Sequence, residues 1–330
     1  MTRSPALSLL LLATALVVAF IASLAVGPSG LSPATVLEVL AGGGEDTARA
    51  IVLQLRLPRA VLAILVGGGL ALAGAVFQAL LRNPLAEPYI LGVSGGAAVG
   101  AVAALVLGWS IVAPWSLPLA AFVGALVAVG LVLRIALATG PVLNARVFIL
   151  AGVVVGAFFN AVILLALSLA DAESFRSAIF WMMGNLSGAT WGGVGLLAAY
   201  LLPLTMLLAA LARPLNLLAL GEDTATYLGV RVERVKWVAY LATSLLVAAS
   251  VAVSGIIGFV GLIVPHALRL TGGSDHRFLL PACVLGGGTF LLLADTLART
   301  VASPVELPTG VVTALVGVPI FVVLLVRSGR

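Results

Sequence analysis

Long apolar stretches, separated by short connections that carry glycine, proline or charge, run through the whole chain. Residues 196–211 show the pattern: apolar side chains occupy every helical face, which suits a helix in lipid and not the roughly ten-residue apolar-polar alternation of a membrane barrel strand. About 20 mostly apolar residues cross about 30 Å of hydrocarbon as a helix, because each residue adds about 1.5 Å. On that measure the chain offers ten segments, at 6–26, 60–81, 91–107, 117–138, 147–169, 192–211, 235–253, 257–268, 278–297 and 310–326. The pattern predicts an all-α polytopic membrane protein, a single transmembrane domain over 1–330.

The eighth segment is too short to cross alone and is bordered by Gly255, Gly258 and Pro265, so it predicts a broken or half-length helix. Such helices are tolerated where their freed backbone groups are buried in protein or line a watery cavity. The first segment exceeds the 7–15 residues usual for the apolar core of a cleaved signal and is expected to be a retained span.

Composition agrees: 62% of the 330 residues are hydrophobic and 9% charged, far from the balance of a soluble domain. The 37 glycines include the runs Gly67-Gly68-Gly69 and Gly286-Gly287-Gly288 inside predicted spans, where small residues let helix backbones approach. None of the glycine-rich runs is a phosphate loop of the GxxxxGK[ST] kind. The single cysteine, Cys283, lies in an apolar run and is expected to be a packing residue.

An even number of spans puts both termini on one side. Placing them with the even-numbered loops in the cytoplasm puts Arg3, Arg82, Arg134, Arg146, Arg213, Arg231, Arg234, Lys236, Arg269, Arg277, Arg327 and Arg330 there. Arg49, Arg56, Arg59, Arg176 and Arg299 remain outside, and this twelve-to-five excess predicts cytoplasmic termini.

Two features stand out against that orientation. Arg56 and Arg59, just before the second span, and Arg299, after the ninth, put arginines on the side where they are disfavoured. They either meet a carboxylate-bearing soluble partner, or reach lipid phosphates and nearby acids such as Asp295 and Glu306. The longest cytoplasmic connection, 213–230, predicts two short amphipathic helices around Gly221 that present Leu217, Leu218, Leu220 and Leu228 to a groove or to lipid.

Those residues also carry a resemblance. RLPR followed by GGGLALAGAVFQALLRNPLAEPYILGVSGGA, then SGIIGFVGLIVPHALRLTGGSDHRFLLPACVLGGG, LLLADTLAR and ELPTGVVTALVGVPIFVVLL, resembles the FecCD family of ABC importer permeases in order and spacing. The family includes ferric-siderophore, haem and cobalamin permeases. The resemblance implies a type II importer fold and a homodimer in a bacterial or archaeal inner membrane. It also implies a cytoplasmic ABC ATPase dimer and an extracytoplasmic substrate-binding protein as partners, besides membrane lipid, and no nucleic acid. ATP and magnesium would belong to the ATPase, leaving this chain without cofactor, metal or catalytic residue.

Residue by residue, the resemblance implies docking of the binding protein at Arg56, Arg59 and Arg299. Coupling to the ATPase falls on 214–230, with Leu217, Leu218, Leu220, Gly221, Glu222, Leu228 and Gly229. The fifth span would line the path with Gly152, Gly156, Phe159 and Asn160, together with Asn144 just before it; Asn160 reads equally as a hydrogen-bonding link between helices. Before Arg146 the chain has Leu143-Asn144-Ala145 where cobalamin permeases carry small hydroxyl residues, which puts their cytoplasmic gate in doubt here. Iron(III)-siderophore is the first substrate expectation, while SDHRFLLP and LLLADTLAR read closer to the cobalamin permeases.

Two rivals remain. A secondary transporter would use Asp295 and the broken eighth segment as its coupling site. An intramembrane enzyme would need clustered ligands or a nucleophile with its base, and His266 and His276 have no third ligand nearby in sequence.

Overall fold

The structure is a computed structural model that describes residues 4–140 and 144–328. Its helices, in chain order, are α1 (Pro5–Ala25), α2 (Pro33–Leu40), α3 (Asp46–Arg49), α4 (Leu57–Leu80), α5 (Val93–Val106), α6 (Trp109–Val112), α7 (Ser116–Ala138) and α8 (Ala145–Ser168). Then follow α9 (Ala172–Met182), α10 (Trp191–Ala210), α11 (Ala212–Ala219), α12 (Glu222–Tyr227), α13 (Val232–Ser254), α14 (Val260–Gly272), α15 (His276–Ala298) and α16 (Thr309–Ser328). Each of the ten expected segments is matched by a helix, so the chain is an all-α polytopic membrane protein. The helices outside those segments include α2, which is too short for a hydropathy reading to find, and α9, which is both short and polar.

A π-helical turn, Ala50–Arg56, joins α3 to α4, so helix runs unbroken over Asp46–Leu80. Its apolar core is 83% buried, against 17% for α1 and 22% for α10. All-round apolarity is shared by the lipid-facing spans; what sets α4 apart is its small residues, with Gly67 and Gly68 against the backbone of α15 and Gly74 against that of α14, and α4 is the central rod on which α10, α13, α14 and α15 pack. The outer helices keep large apolar side chains such as Leu10, Val154 and Leu202 exposed, as a lipid-facing surface requires.

Glycine sets the closeness of two contacts. A Cβ on Gly67 would overlap the Gly287 carbonyl, and one on Gly287 would overlap that of Gly67. The two glycine runs read from the sequence thus meet through Gly67 and Gly287 across α4 and α15, at a separation no larger residue permits.

The eighth segment is broken, as expected, but displaced: residues 255–258 are non-helical and α14 begins at Val260. Its 13 residues span about 20 Å, short of the hydrocarbon thickness. Gly255 (φ 67°) and Phe259 (φ 69°) bracket the break in left-handed backbone. That region is natural for glycine and costly for a phenylalanine.

Candidate functional site

Arg56, Arg59 and Arg299 do come together at one end of the bundle, and their surroundings answer the question the sequence left open. All three are buried, at 5%, 8% and 4% exposure. Arg56, at the end of the π turn, donates to the Leu24 and Ala25 carbonyls at 2.5 and 3.2 Å and to Ser29 Oγ at 2.6 Å. It thereby satisfies carbonyls that the end of α1 leaves without intrahelical partners. Arg59 grips Asp295 with a two-pronged fork, Nε to Oδ2 at 2.9 Å and Nη2 to Oδ1 at 3.0 Å, and reaches Glu306 Oε2 with Nη1 at 2.8 Å. Arg299 Nη2 donates to the Ser23 carbonyl at 2.5 Å, and its Nε lies 3.8 Å from Asp295 Oδ2.

The alternative of pairing with Asp295 and Glu306 therefore holds for Arg59, and for Arg299 through Asp295. In this conformation each of the three guanidinium groups holds oxygens of its own chain. Glu306, 37% exposed at its side chain, is the solvent-facing member of the cluster, while Asp295 is 1% exposed. Since Asp295 is neutralised by arginines within the chain, it is not the free carboxylate that an ion-coupled carrier would require.

A second site closes around the break before α14. Tyr89, in the turn Pro88–Leu91, accepts the Ile257 N–H at 3.2 Å and donates its hydroxyl to the Ile257 carbonyl at 2.8 Å. Glu87 Oε1 accepts the Phe259 N–H at 2.7 Å, and the Ser254 carbonyl accepts the Asn185 N–H at 2.8 Å. Four backbone groups freed by the break, on Ser254, Ile257 and Phe259, are thus satisfied by side chains and by the 185 loop, as non-helical backbone at membrane depth requires. Burial pushes the Glu87 carboxyl above its usual range, and the Phe259 N–H partly offsets that. Glu87 and Tyr89 were not singled out from sequence, although they sit in its most distinctive stretch, NPLAEPYILGVSGGA.

The opposite end carries α11 and α12, the two short helices expected around Gly221. Gly221 has φ 127° and ψ 150°, a conformation open to glycine alone, and Gly229 has φ 83°. Glu222 Oε2 receives Lys236 Nζ at 2.5 Å, and Arg82 lies 3.9 Å from Oε1, so α12 is tied to α13 and to the turn after α4. Leu220 and Leu228 are outward, 70% and 60% exposed, and Leu217 is half-buried. Leu218 requires correction: at 3% exposure it packs into the core with Leu215 and presents nothing to a partner. The residue missed is Tyr227, 91% exposed between Gly221 and Gly229, an aromatic whose display only the turn geometry reveals.

The candidate path residues on α8 divide. Gly152 is packed against the Ile90 carbonyl, where a Cβ would overlap, and Phe159 is buried beside Phe158 and Gly95. Gly156 has open space where a Cβ would point, and Asn160 is exposed on the same helical face as Val153 and Leu164. Asn144 caps α8, its Oδ1 accepting the Arg146 N–H at 2.9 Å. Leu143 lies outside the described residues, as do Arg3 and Arg330 from the orientation count. Among the described residues no three His, Cys, Asp or Glu side chains group as a metal site needs.

A model of the FecCD transport family matches residues 15–327. An uncharacterized ABC transporter permease protein, YvrB of Bacillus subtilis, is 44% identical over 85% of this chain and 80% of its own length. The vitamin B12 import system permease protein BtuC of Escherichia coli is 42% identical over 98% of this chain and 95% of its own. Among solved structures, the inward-facing conformation of an ABC transporter described as of the metal-chelate type superposes with a TM-score of 0.87 at 34% identity, covering 97% of this chain and 98% of that one. On these matches, which run along nearly the whole chain, the chain belongs to the FecCD transport family as a non-catalytic permease subunit of an ABC importer.

Proposed function

We propose that the permease carries cobalamin inward by alternating access, as a homodimer bearing two cytoplasmic ATPase subunits and fed by an extracytoplasmic binding protein. The observation that carries the substrate choice is the 42% identity to a vitamin B12 permease over 98% of the chain, which now outweighs the first expectation of a ferric siderophore. Ferric siderophore stays as the second reading, on the likeness to a transporter of metal-chelate type.

The geometry supports a path between two copies of the chain. An amide such as Asn160 on an otherwise apolar membrane-facing surface is unfavourable against lipid and suits a water-lined path or a facing subunit. Alternating access needs two packings of comparable stability that binding protein, substrate and ATP bias in turn. The break at 255–258, held by side-chain hydrogen bonds instead of a helical ladder, suits a hinge between them. Cytoplasmic termini put α11 and α12 against the ATPase, with Leu220, Tyr227 and Leu228 as its contacts and Gly221, Glu222 and Gly229 fixing their posture. The arginine cluster then faces the binding protein. Because Arg56, Arg59 and Arg299 already hold oxygens of this chain, docking proceeds at Glu306, the solvent-facing partner of the buried Arg59, with a partner carboxylate replacing it.

Reconstitution with the ATPase and binding protein in proteoliposomes tests the reading. Uptake of labelled cyanocobalamin that depends on both partners and on internal or external ATP at the α11–α12 side is expected. Uptake of a ferric siderophore but not cobalamin would replace the substrate; transport driven by an ion gradient without ATP would overturn the importer mechanism itself.

A further inference from the structure

The connection between α5 and α7, residues 107–115, lies at the end of the bundle that holds the arginine cluster, because α4 starts at that end and α5 returns to it. It turns apolar side chains outward: Ile111 and Val112 are 86% and 88% exposed, and Leu107, Trp109 and Trp115 are exposed beside them. The sequence has no charged residue and no histidine from 88 to 133, so none stands on either flank of this tip. Three other connections at that end differ. Glu38, Glu45 and Asp46 lie between α1 and α4, Asp171, Glu173 and Arg176 follow α8, and Arg299 and Glu306 follow α15.

The geometry of α7 shows what covers the tip. Trp115, Leu119, Val123, Val127 and Leu131, each four positions apart, form one exposed apolar stripe that leads from the tip along the length of the helix. A span needs such a stripe against lipid, so the tip continues a surface that is already lipid-facing. Depth follows from the helical rise. Trp115 and the exposed Arg134 are 19 positions apart, about 28 Å of helix, against about 30 Å of hydrocarbon. With Arg134 reaching the headgroups of one leaflet, Trp115 stands at the boundary of the other. An indole suits that boundary, since its ring is apolar and its N–H finds water or a headgroup there.

We propose that residues 107–115 are a membrane anchor, inserted at the boundary between headgroups and acyl chains of the leaflet on the arginine-cluster side. Trp109 and Trp115 hold the headgroup level, while Ile111 and Val112 reach the acyl chains. The anchor also bears on the break before α14. The 14 residues of α5, about 21 Å long, run from the turn Pro88–Leu91 to the tip, so the depth of the tip fixes that of Tyr89, which holds both backbone groups of Ile257.

The test uses the assembled transporter in lipid nanodiscs, which leave both faces open to reagent. Ile111→Cys and, as an exposed control in α3, Thr47→Cys are treated with a membrane-impermeant maleimide, and labelling is read from the mass of the permease chain. The native Cys283 is fully buried and stays silent. Apolar surroundings raise the pKa of a thiol, and one unit lowers its reactive thiolate about tenfold, so Ile111→Cys should label at least about tenfold more slowly than Thr47→Cys. Equal rates would put the tip in water and overturn the anchor. A photoreactive benzoylphenylalanine in place of Ile111 then identifies the cover. Crosslinking to lipid is expected, with and without the binding protein; crosslinking to a second permease copy or to the binding protein, or none to lipid, would end the proposal. Neither readout depends on the substrate or on which face is cytoplasmic, so this inference and the proposed function fail separately.

Discussion

Asp295 answers to two arginines at once and is nearly inaccessible, so its removal is expected to cost more than the loss of any surface pair. Truncating it leaves Arg299 with carbonyl oxygens and Arg59 with Glu306 alone. Breaking a buried ion pair from one side typically costs about 3–5 kcal/mol, because the remaining charge stays buried. D295A should therefore lower stability in detergent by that order, while E306Q, at a partly exposed pair, should stay within about 1 kcal/mol. Equal thermal denaturation midpoints for the two variants would show that Asp295 is not the keystone of the cluster. Glu87 gives a pH signature of the opposite kind. Its carboxyl is raised in the folded state, so the folded protein holds that proton more tightly than the unfolded chain. Stability should then rise as pH falls from neutrality through the raised value toward the ordinary carboxylate range, and be lower once the group is ionised. E87Q retains an oxygen for the Phe259 N–H and should remove this part of the pH dependence, as read by hydrogen exchange at residues 257–260 across the same pH range. An identical profile in E87Q would assign the effect to another group.

At the level of elements, closeness and exposure make separate predictions for glycines of the same helical type. Gly67 meets the Gly287 carbonyl, so even G67A must push α4 and α15 apart, whereas Gly130, inside α7, has no atom within 4 Å of where a Cβ would stand. G67A should reduce folded yield, and G130A should be neutral or gain about 0.5–1 kcal/mol from helix propensity; a G67A protein as stable as G130A would mean the two helices can separate at no cost. The spans were legible in the sequence because length and hydropathy decide them locally, and the break at the eighth was legible because Gly255 and Gly258 punctuate it, whereas Pro265 falls inside α14 and ends nothing. The glycine runs were legible as packing elements but not as partners of each other. Side-chain direction was not legible at all in α11 and α12, where Leu218 turns inward and Tyr227 outward, because the inward face depends on where α4, α13 and α15 lie. Nor does local pattern tell that Arg59 reaches Asp295, 236 residues away, in preference to meeting a partner.

Across the whole molecule, the two ends of the bundle have different chemistry and should fail differently. The α11–α12 end displays Leu220, Tyr227 and Leu228, apolar or aromatic groups on a short hinge-bound segment, while the other end holds a nearly closed ionic cluster with Glu306 at its rim. Introducing charge at Tyr227 and Leu228, as Y227D with L228D, should release the ATPase on purification and leave binding-protein affinity untouched. E306Q should do the reverse. It removes the in-chain carboxylate that occupies Arg59 Nη1 at 2.8 Å, so a docking carboxylate no longer has to displace it. The expected result is tighter binding of the binding protein, by roughly five- to tenfold if one charge-assisted hydrogen bond is at stake, and higher stimulated ATP hydrolysis at limiting binding protein with the basal rate unchanged. R59Q should weaken the same binding but also unsettle Asp295, so it cannot by itself distinguish docking from folding; E306Q can, because its predicted effect is a gain. A loss of affinity in E306Q would mean that Glu306 serves docking in its own right, and no change would mean that the cluster holds α1, α4, α15 and α16 together without ever opening to a partner.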